Sequence, residues 1–121
     1  MKRITERIKA GEILVVDGAW GTLLQEAGLA PGDCPEIWCV EHRDAVLRIA
    51  RGYVEAGATL IKTNSFGGSR LKLAGYGLEA RCSELNTAAA AISREAAGPD
   101  RHVIASVGPT GKMLVMGDIT E

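Results

Sequence analysis

The chain alternates helical patterns that stop at glycine with short β-branched runs, and this alternation restricts the fold more than any other feature. Three such runs lie at 13–17, 59–64 and 103–107, and each passes into small polar or glycine residues. Parallel strands need a long crossover, and helices of the lengths found between these runs supply it. The run Ile13 to Val16 lacks alternation, which is typical of a strand buried on both faces. The pattern therefore predicts an α/β fold of about three parallel βα units.

The helical patterns between the runs differ in strength. The clearest one is amphipathic and lies between Asp44, the expected N-cap, and Gly57 just past its end. Weaker or less regular patterns predict four further helices, at 2–10, 21–27, 69–74 and 79–97. Residues 29–43 carry two prolines and little periodicity, so we expect a loop. Gly117 to Glu121 either begins another helix or forms a loop, and the first option would make the chain a fragment.

Composition excludes several classes of protein. The formal net charge is -1 and the 14 basic residues are scattered, which argues against nucleic acid or an anionic membrane as a partner. Apolar runs stay far below the roughly 20 residues that a membrane-spanning helix needs. No apolar segment follows the basic N-terminus, so a secretory signal is not expected. The default expectation is a cytoplasmic protein.

The cysteines and histidines give no strong metal signal. Cys34 and Cys39 have a spacing that suits a metal pair, but no second pair of Cys or His follows at a matching interval. Reduced thiols are the alternative that we favour for both, and Cys82 is expected to pack at the edge of the core. His42 and His102 lack an acid or Cys at catalytic or ligand spacing, so structural roles are expected for them.

Polar and glycine residues follow each predicted strand, where ligands bind in parallel α/β folds. Asp17 could accept hydrogen bonds from an ammonium group, and the backbone N–H groups of Gly18 and Gly108 could approach a carboxylate closely. The candidate site comprises Asp17, Gly18, Thr63, Asn64, Ser106 and Gly108. An equally good interpretation is that these are turn residues selected for backbone geometry.

Lys62 is a lysine inside an otherwise apolar run, on the strand face shared with Leu60 and Asn64. A salt bridge to a carboxylate on a neighbouring element, or a side chain that reaches to the rim, would explain it. The alternative is a lysine of lowered pKa that forms a Schiff base.

Several motifs, in order, resemble homocysteine S-methyltransferase domains. Asp-Gly-Ala-Trp-Gly-Thr-Leu-Leu-Gln at 17–25 resembles the family's Asp-Gly-(Gly/Ala)-Met-Gly-Thr-Met opening. Residues 53–66 are similar to its Tyr-x-x-Ala-Gly-Ala-Asp-Ile-Ile-x-Thr-Asn-Thr-Phe segment. Tyr-Gly-Leu-Glu at 76–79, Glu-Leu-Asn at 84–86 and Gly-Pro-Thr-Gly at 108–111 follow in the expected order, and Cys-Pro-Glu-Ile-Trp at 34–38 resembles a loop of the bacterial cobalamin-type members.

The resemblance implies that residues 1–121 are the N-terminal part of a (β/α)₈ TIM barrel that methylates the thiol of homocysteine to form methionine. In this family three cysteines hold zinc, which keeps the substrate thiol deprotonated. Cobalamin or a methylated folate on other domains is a candidate methyl source, and the sequence leaves the donor open. The amino-acid end of homocysteine would contact Asp17, Gly18, Thr63 and Gly108, with Asn64 and Ser106 beside them.

This chain also departs from the family pattern. The family's Asn-Cys and Gly-Gly-Cys-Cys zinc segments are absent from the sequence, and none of its three cysteines corresponds to them. Trp20 replaces a usual Met, Lys62 a usual Glu or Gln, and Arg43 a common Pro. A full barrel needs about 250 residues, so we expect the chain alone to be inactive and to need the rest of the barrel or another chain. A non-catalytic half-barrel that assembles with a partner is the alternative.

Overall fold

A computed structural model describes residues 1–118 as helices around a small parallel sheet. The helices are α1 (Ile4–Lys9), α2 (Gly21–Glu26), α3 (Trp38–Glu41), α4 (Arg43–Glu55), α5 (Arg70–Leu73) and α6 (Cys82–Ala97). The strands are β1 (Leu60–Lys62) and β2 (His102–Ile104). Short 3₁₀ turns lie at Ala74–Tyr76, Glu79–Arg81 and Leu114–Met116. The alternation of helix and strand predicted from the sequence is confirmed within this part of the chain.

The sheet is parallel, and its strands lie in chain order. β1 pairs with β2 in a register that sets Leu60 opposite His102 and Lys62 opposite Ile104. On the other side of β1, Val16 forms a single parallel bridge with Leu60. Helix α6 belongs to the crossover from β1 to β2, and α4 to the crossover that leads into β1. All three segments therefore present their carboxyl ends at the same edge.

The prediction of a regular, buried strand at 13–17 is wrong. The segment follows β1 through backbone hydrogen bonds, including Leu60 N to Val15 O at 3.0 Å, but only the bridge at Val16 is strand-like. Ile13 is 90% exposed and Val15 52% exposed, so burial on both faces is also wrong. Among residues 1–118, no strand pairs with the outer edge of this segment, and the side chains of Ile13, Val15 and Val16 remain exposed.

The core lies between the helices and the sheet. Helix α4 contributes Val46 and Ala50, and α6 contributes Leu85 and Ile92, all at most 1% exposed. The spacing of these residues places them on one face of each helix, as the amphipathic patterns predicted. Helix α6 is tied to the sheet because Ser93 Oγ donates to Lys62 O at 2.8 Å.

Two predictions around residues 29–44 are wrong. The predicted loop at 29–43 contains α3, whose Trp38 and Cys39 are buried. The expected N-cap Asp44 lies inside the first turn of α4, and His42 precedes the helix without a side-chain cap. A four-residue helix leaves almost no periodic signal, and burial against the rest of the core stabilises it.

Glycines end the two long helices, as predicted. Gly57 follows α4 with φ +100°, and Gly98 closes α6 with φ +64°. The possible helix start at Gly117 to Glu121 lies partly outside the described residues, which end at Asp118. None of the helices in residues 1–118 has the length and apolar character that crossing a membrane requires.

Candidate functional site

A cavity of about 300 Å³ opens at the carboxyl ends of the strands. Its lining comes from the turn before α2, from the 35–36 loop and from the residues that follow β1 and β2. Lys62, Thr63, Asn64 and Ser106 line it directly. The cavity is at the small end of the usual range for ligand pockets. Of the six residues predicted for the site, Thr63, Asn64 and Ser106 line it, whereas Asp17, Gly18 and Gly108 do not.

Asp17 lies at the end of the first segment, and its side chain is 0% exposed. Its Oδ2 accepts hydrogen bonds from Lys62 N and from Trp20 Nε1, both at 2.9 Å. Its Oδ1 is buried and has no hydrogen bond. A charged carboxylate in such a place requires compensation.

Lys62 supplies that compensation. Its Nζ lies 3.5 Å from Asp17 Oδ1 and donates to Gly18 O at 3.0 Å. The expectation of a salt bridge from Lys62 to a carboxylate on a neighbouring element is therefore confirmed. Because Nζ contacts a carboxylate and a backbone carbonyl of the protein, this arrangement gives no support to a Schiff-base role.

Gly18 packs against an aromatic side chain. A Cβ on Gly18 would lie 3.0 Å from the Tyr53 hydroxyl oxygen, and that hydroxyl donates to Ala19 O. Burial raises the pKa of the Tyr53 phenol, and the charge of Asp17 adds to the effect. The glycine thus allows Tyr53 of α4 to fix the turn that carries Asp17.

Hydroxyl groups connect the ends of β1 and β2. Ser106 N donates to Thr63 Oγ1 at 3.0 Å, and Ser65 Oγ donates to Ser106 O at 2.8 Å. Thr63 Oγ1 lies 2.6 Å from Ser65 Oγ and completes the chain of hydrogen bonds. Thr63 and Ser65 are both buried, so this network holds the floor of the cavity in one arrangement.

Asn64 and Gly108 are occupied by structural contacts. Asn64 Nδ2 donates to Pro35 O at 2.9 Å and so fixes the loop before α3. Gly108 N donates to Phe66 O at 2.9 Å, and a Cβ on Gly108 would clash with that same oxygen. The N–H of Gly108 is therefore committed to the protein in this structure, and Gly108 lines a separate small cleft beside Phe66.

Sequence reasoning missed Glu36. This side chain is buried, lines the cavity, and accepts hydrogen bonds from Gly67 N at 2.7 Å and from Cys34 Sγ at 3.3 Å. The only signal was an acid between apolar residues in the 34–38 motif. It holds the loop after β1 against the loop before α3.

Two of the three cysteines, Cys34 and Cys39, are buried thiols. Burial raises the pKa of Cys34, and it raises the pKa of Cys39 to about 11. Cys82 is partly buried, and its Sγ lies 3.1 Å from Gly68 O. Among residues 1–118 no three His, Cys, Asp or Glu side chains meet in a way that suits a metal ion. The zinc that the family resemblance implies therefore does not fit this part of the chain.

These features define a parallel α/β domain with a cavity at the carboxyl ends of its strands. Residues 14–121 match the family model of homocysteine S-methyltransferases. The chain belongs to the homocysteine S-methyltransferase family, as its motifs predicted.

The relatives and structural neighbours agree with this assignment. The chain is 37% identical over 117 residues to the methionine synthase of Mycobacterium tuberculosis and 36% identical over 120 residues to that of Mycobacterium leprae. These matches cover 87% and 89% of this chain, but the chain spans only 10% of each relative's length.

The structure resembles the homocysteine methyltransferase MmuM of Escherichia coli. The metallated form of that protein matches with a TM-score of 0.71 at 26% identity, over 92% of this chain and 42% of the other. The oxidised form matches with a TM-score of 0.66, also at 26% identity, over 82% of this chain and 38% of the other. The fold is thus that of part of a homocysteine methyltransferase.

Proposed function

We propose that this chain forms the part of a (β/α)₈ homocysteine methyltransferase that binds the amino-acid end of homocysteine, whose thiol receives a methyl group to give methionine. In this proposal Asp17 and Gly18 O bind the ammonium group, while Thr63 and Ser106 position the substrate beside them. Asn64 and Gly108 hold the surrounding loops in place. Zinc, if the complete domain uses it, would be held by residues outside those described.

The observation that carries the proposal is the state of the Asp17 carboxylate. It is fully buried at the strand ends and held by two donors on Oδ2, while its Oδ1 has no hydrogen bond and lies 3.5 Å from Lys62 Nζ, which occupies this oxygen when no ligand is bound. A buried carboxylate oxygen of this kind gains most from a charged donor, since hydrogen bonds to charged groups are stronger than neutral ones. The ammonium of an amino acid supplies such a donor.

The test is calorimetric titration of the 121-residue chain with homocysteine and with 4-mercaptobutanoate, which is homocysteine without its ammonium. We expect the wild-type chain to bind homocysteine more tightly than 4-mercaptobutanoate by about tenfold or more. The Asp17→Asn variant should lose most of this difference in affinity. Asp44→Asn, an exposed acid on α4, serves as the control. Equal affinity of the wild-type chain for both compounds would contradict the proposal.

A second candidate is a half-barrel that binds another chain without catalysis. The observation in its favour is two exposed apolar side chains, Ile13 in the segment that pairs with β1 and Val107 in the segment after β2, which are 90% and 84% exposed. Sedimentation analysis separates the two candidates. A defined oligomer that does not bind homocysteine would support the non-catalytic half-barrel.

A further inference from the structure

The ammonium group of Lys62 occupies the position that a substrate ammonium would need. Its Nζ lies 3.0 Å from Gly18 O and 3.5 Å from Asp17 Oδ1. A backbone carbonyl and a buried carboxylate oxygen are the kind of acceptors that an α-ammonium group requires. We call these two acceptors, Asp17 Oδ1 and Gly18 O, the ammonium cradle.

Lys62 also separates the cradle from the cavity. The Lys62 side chain lines the cavity and is 33% exposed, whereas Asp17 is 0% exposed and does not line it. A ligand entering the cavity therefore meets Lys62 before it can reach Asp17. The long, flexible lysine stem allows the ammonium to move outward without displacing the backbone of β1.

We propose that Lys62 competes with the substrate for the ammonium cradle, so that an amino acid binds only when it displaces the lysine. The inference rests on the proposed function, because it takes Asp17 and Gly18 to be the groups that bind the substrate ammonium. Two ammonium groups cannot share one carboxylate oxygen and one carbonyl without mutual repulsion. The lysine thus lowers the affinity for ligands that carry an ammonium and leaves ligands without one unaffected.

The test compares Lys62→Met with wild type in the 121-residue chain. We expect Lys62→Met to bind homocysteine at least about tenfold more tightly, the factor expected from one charge-assisted hydrogen bond, with the affinity for 4-mercaptobutanoate unchanged. Lys72→Met, at an exposed lysine of α5, should change neither affinity. Weaker binding of both compounds by Lys62→Met, or no change for homocysteine, would overturn the inference.

A thermal measurement tests the cradle without homocysteine. Lys62→Met leaves the Asp17 carboxylate without its cation, so its melting temperature should fall. Methylammonium chloride should restore part of that loss, whereas sodium chloride at the same concentration should not, and wild type should respond equally to both salts. Lys62→Gln, which removes the charge but keeps a polar end, is measured in parallel in case Lys62→Met does not fold.

The two assays separate the inference from the proposed function. Rescue by methylammonium without homocysteine binding in any variant would support the cradle and refute the proposed function. Asp17-dependent homocysteine binding that Lys62→Met does not strengthen would support the proposed function and refute the competition. Absence of both rescue and tightening refutes the inference in every case.

Discussion

Burial sets the chemistry of the cysteines at the residue scale. Cys39 is 1% exposed, and its burial raises the thiol pKa from 9.0 to about 11. At pH 8 the folded chain should therefore hold about one thiolate per thousand at this position, on the order of a hundredfold fewer than the unfolded chain. A thiol in this state is a poor nucleophile and a poor metal ligand.

Alkylation measures this difference directly. We expect iodoacetamide at pH 8 to modify Cys39 of the folded chain on the order of a hundredfold more slowly than in guanidinium chloride, as followed by peptide mass spectrometry. The partly buried Cys82 is an internal control, and in the folded chain it should react faster than Cys39. Equal rates at Cys39 in both states would show that the thiol is not protected.

Gly108 provides a second test at this scale. A Cβ there would clash with Phe66 O, a backbone atom that cannot easily move. We expect Gly108→Ala to lower the free energy of unfolding by roughly 1–3 kcal/mol in urea denaturation. Gly75→Ala is the matched control, because a Cβ at Gly75 meets nothing within 4 Å. A stable Gly108→Ala would mean that the 66–68 and 105–108 segments lie further apart.

Sequence reasoning at the residue scale identified the unusual groups but not their pairing. Asp17 stood out as a charged residue at the end of an apolar run, and Lys62 as a charged residue inside one. Their contact depends on the register of neighbouring segments, which no local pattern encodes. Glu36 was missed because its two partners, Gly67 and Cys34, come together only when the loop before α3 folds against the loop after β1.

At the scale of elements, one side chain joins the longest helix to the sheet. Ser93 of α6 is 1% exposed and donates to Lys62 O of β1 at 2.8 Å. We expect Ser93→Ala to reduce the free energy of unfolding by about 1 kcal/mol, because the carbonyl loses its buried partner. Ser83→Ala, on the exposed face of the same helix, should change stability little. Equal effects of both substitutions, measured by urea denaturation, would contradict this role of Ser93.

Helices and strands could be predicted where a pattern within their own residues specifies them. Helices α4 and α6 were predicted because their apolar residues repeat at helical spacing and glycines end them. The segment at 13–17 was predicted as a strand because three of its five residues are β-branched. Only the bridge from Val16 to Leu60 forms, and the side chains of Ile13 and Val15 stay exposed. Helix α3 was missed because four residues cannot show a period.

At the scale of the whole molecule, apolar surface marks both sides of the sheet. Ile13 and Val107 are 90% and 84% exposed, and Val115 is 91% exposed. Exposed edges and apolar patches of this kind favour association. We expect the purified chain to associate at micromolar concentration, and the double variant Ile13→Lys, Val107→Lys to sediment as a smaller species. A monodisperse wild-type monomer would show that these edges do not drive association.

Catalytic activity is also a property of the whole molecule. Because the family's Asn-Cys and Gly-Gly-Cys-Cys zinc segments do not occur in this sequence, we expect the purified chain to form no methionine from homocysteine and a methyl donor, with or without added zinc. Mass spectrometry of the product, with S-methylmethionine and a methylated folate tried as donors, measures this. Methionine formation at an ordinary enzymatic rate would refute the expectation.

The binding of homocysteine at the strand ends is tested most directly by the backbone amide NMR spectrum of the 121-residue chain during titration with homocysteine. We expect chemical shifts to change at Asp17, Gly18, Thr63 and Ser106, and to stay constant at Arg48 and Gly52 on the outer side of α4. Changes confined to α4, or a spectrum that does not respond at millimolar homocysteine, would contradict the account.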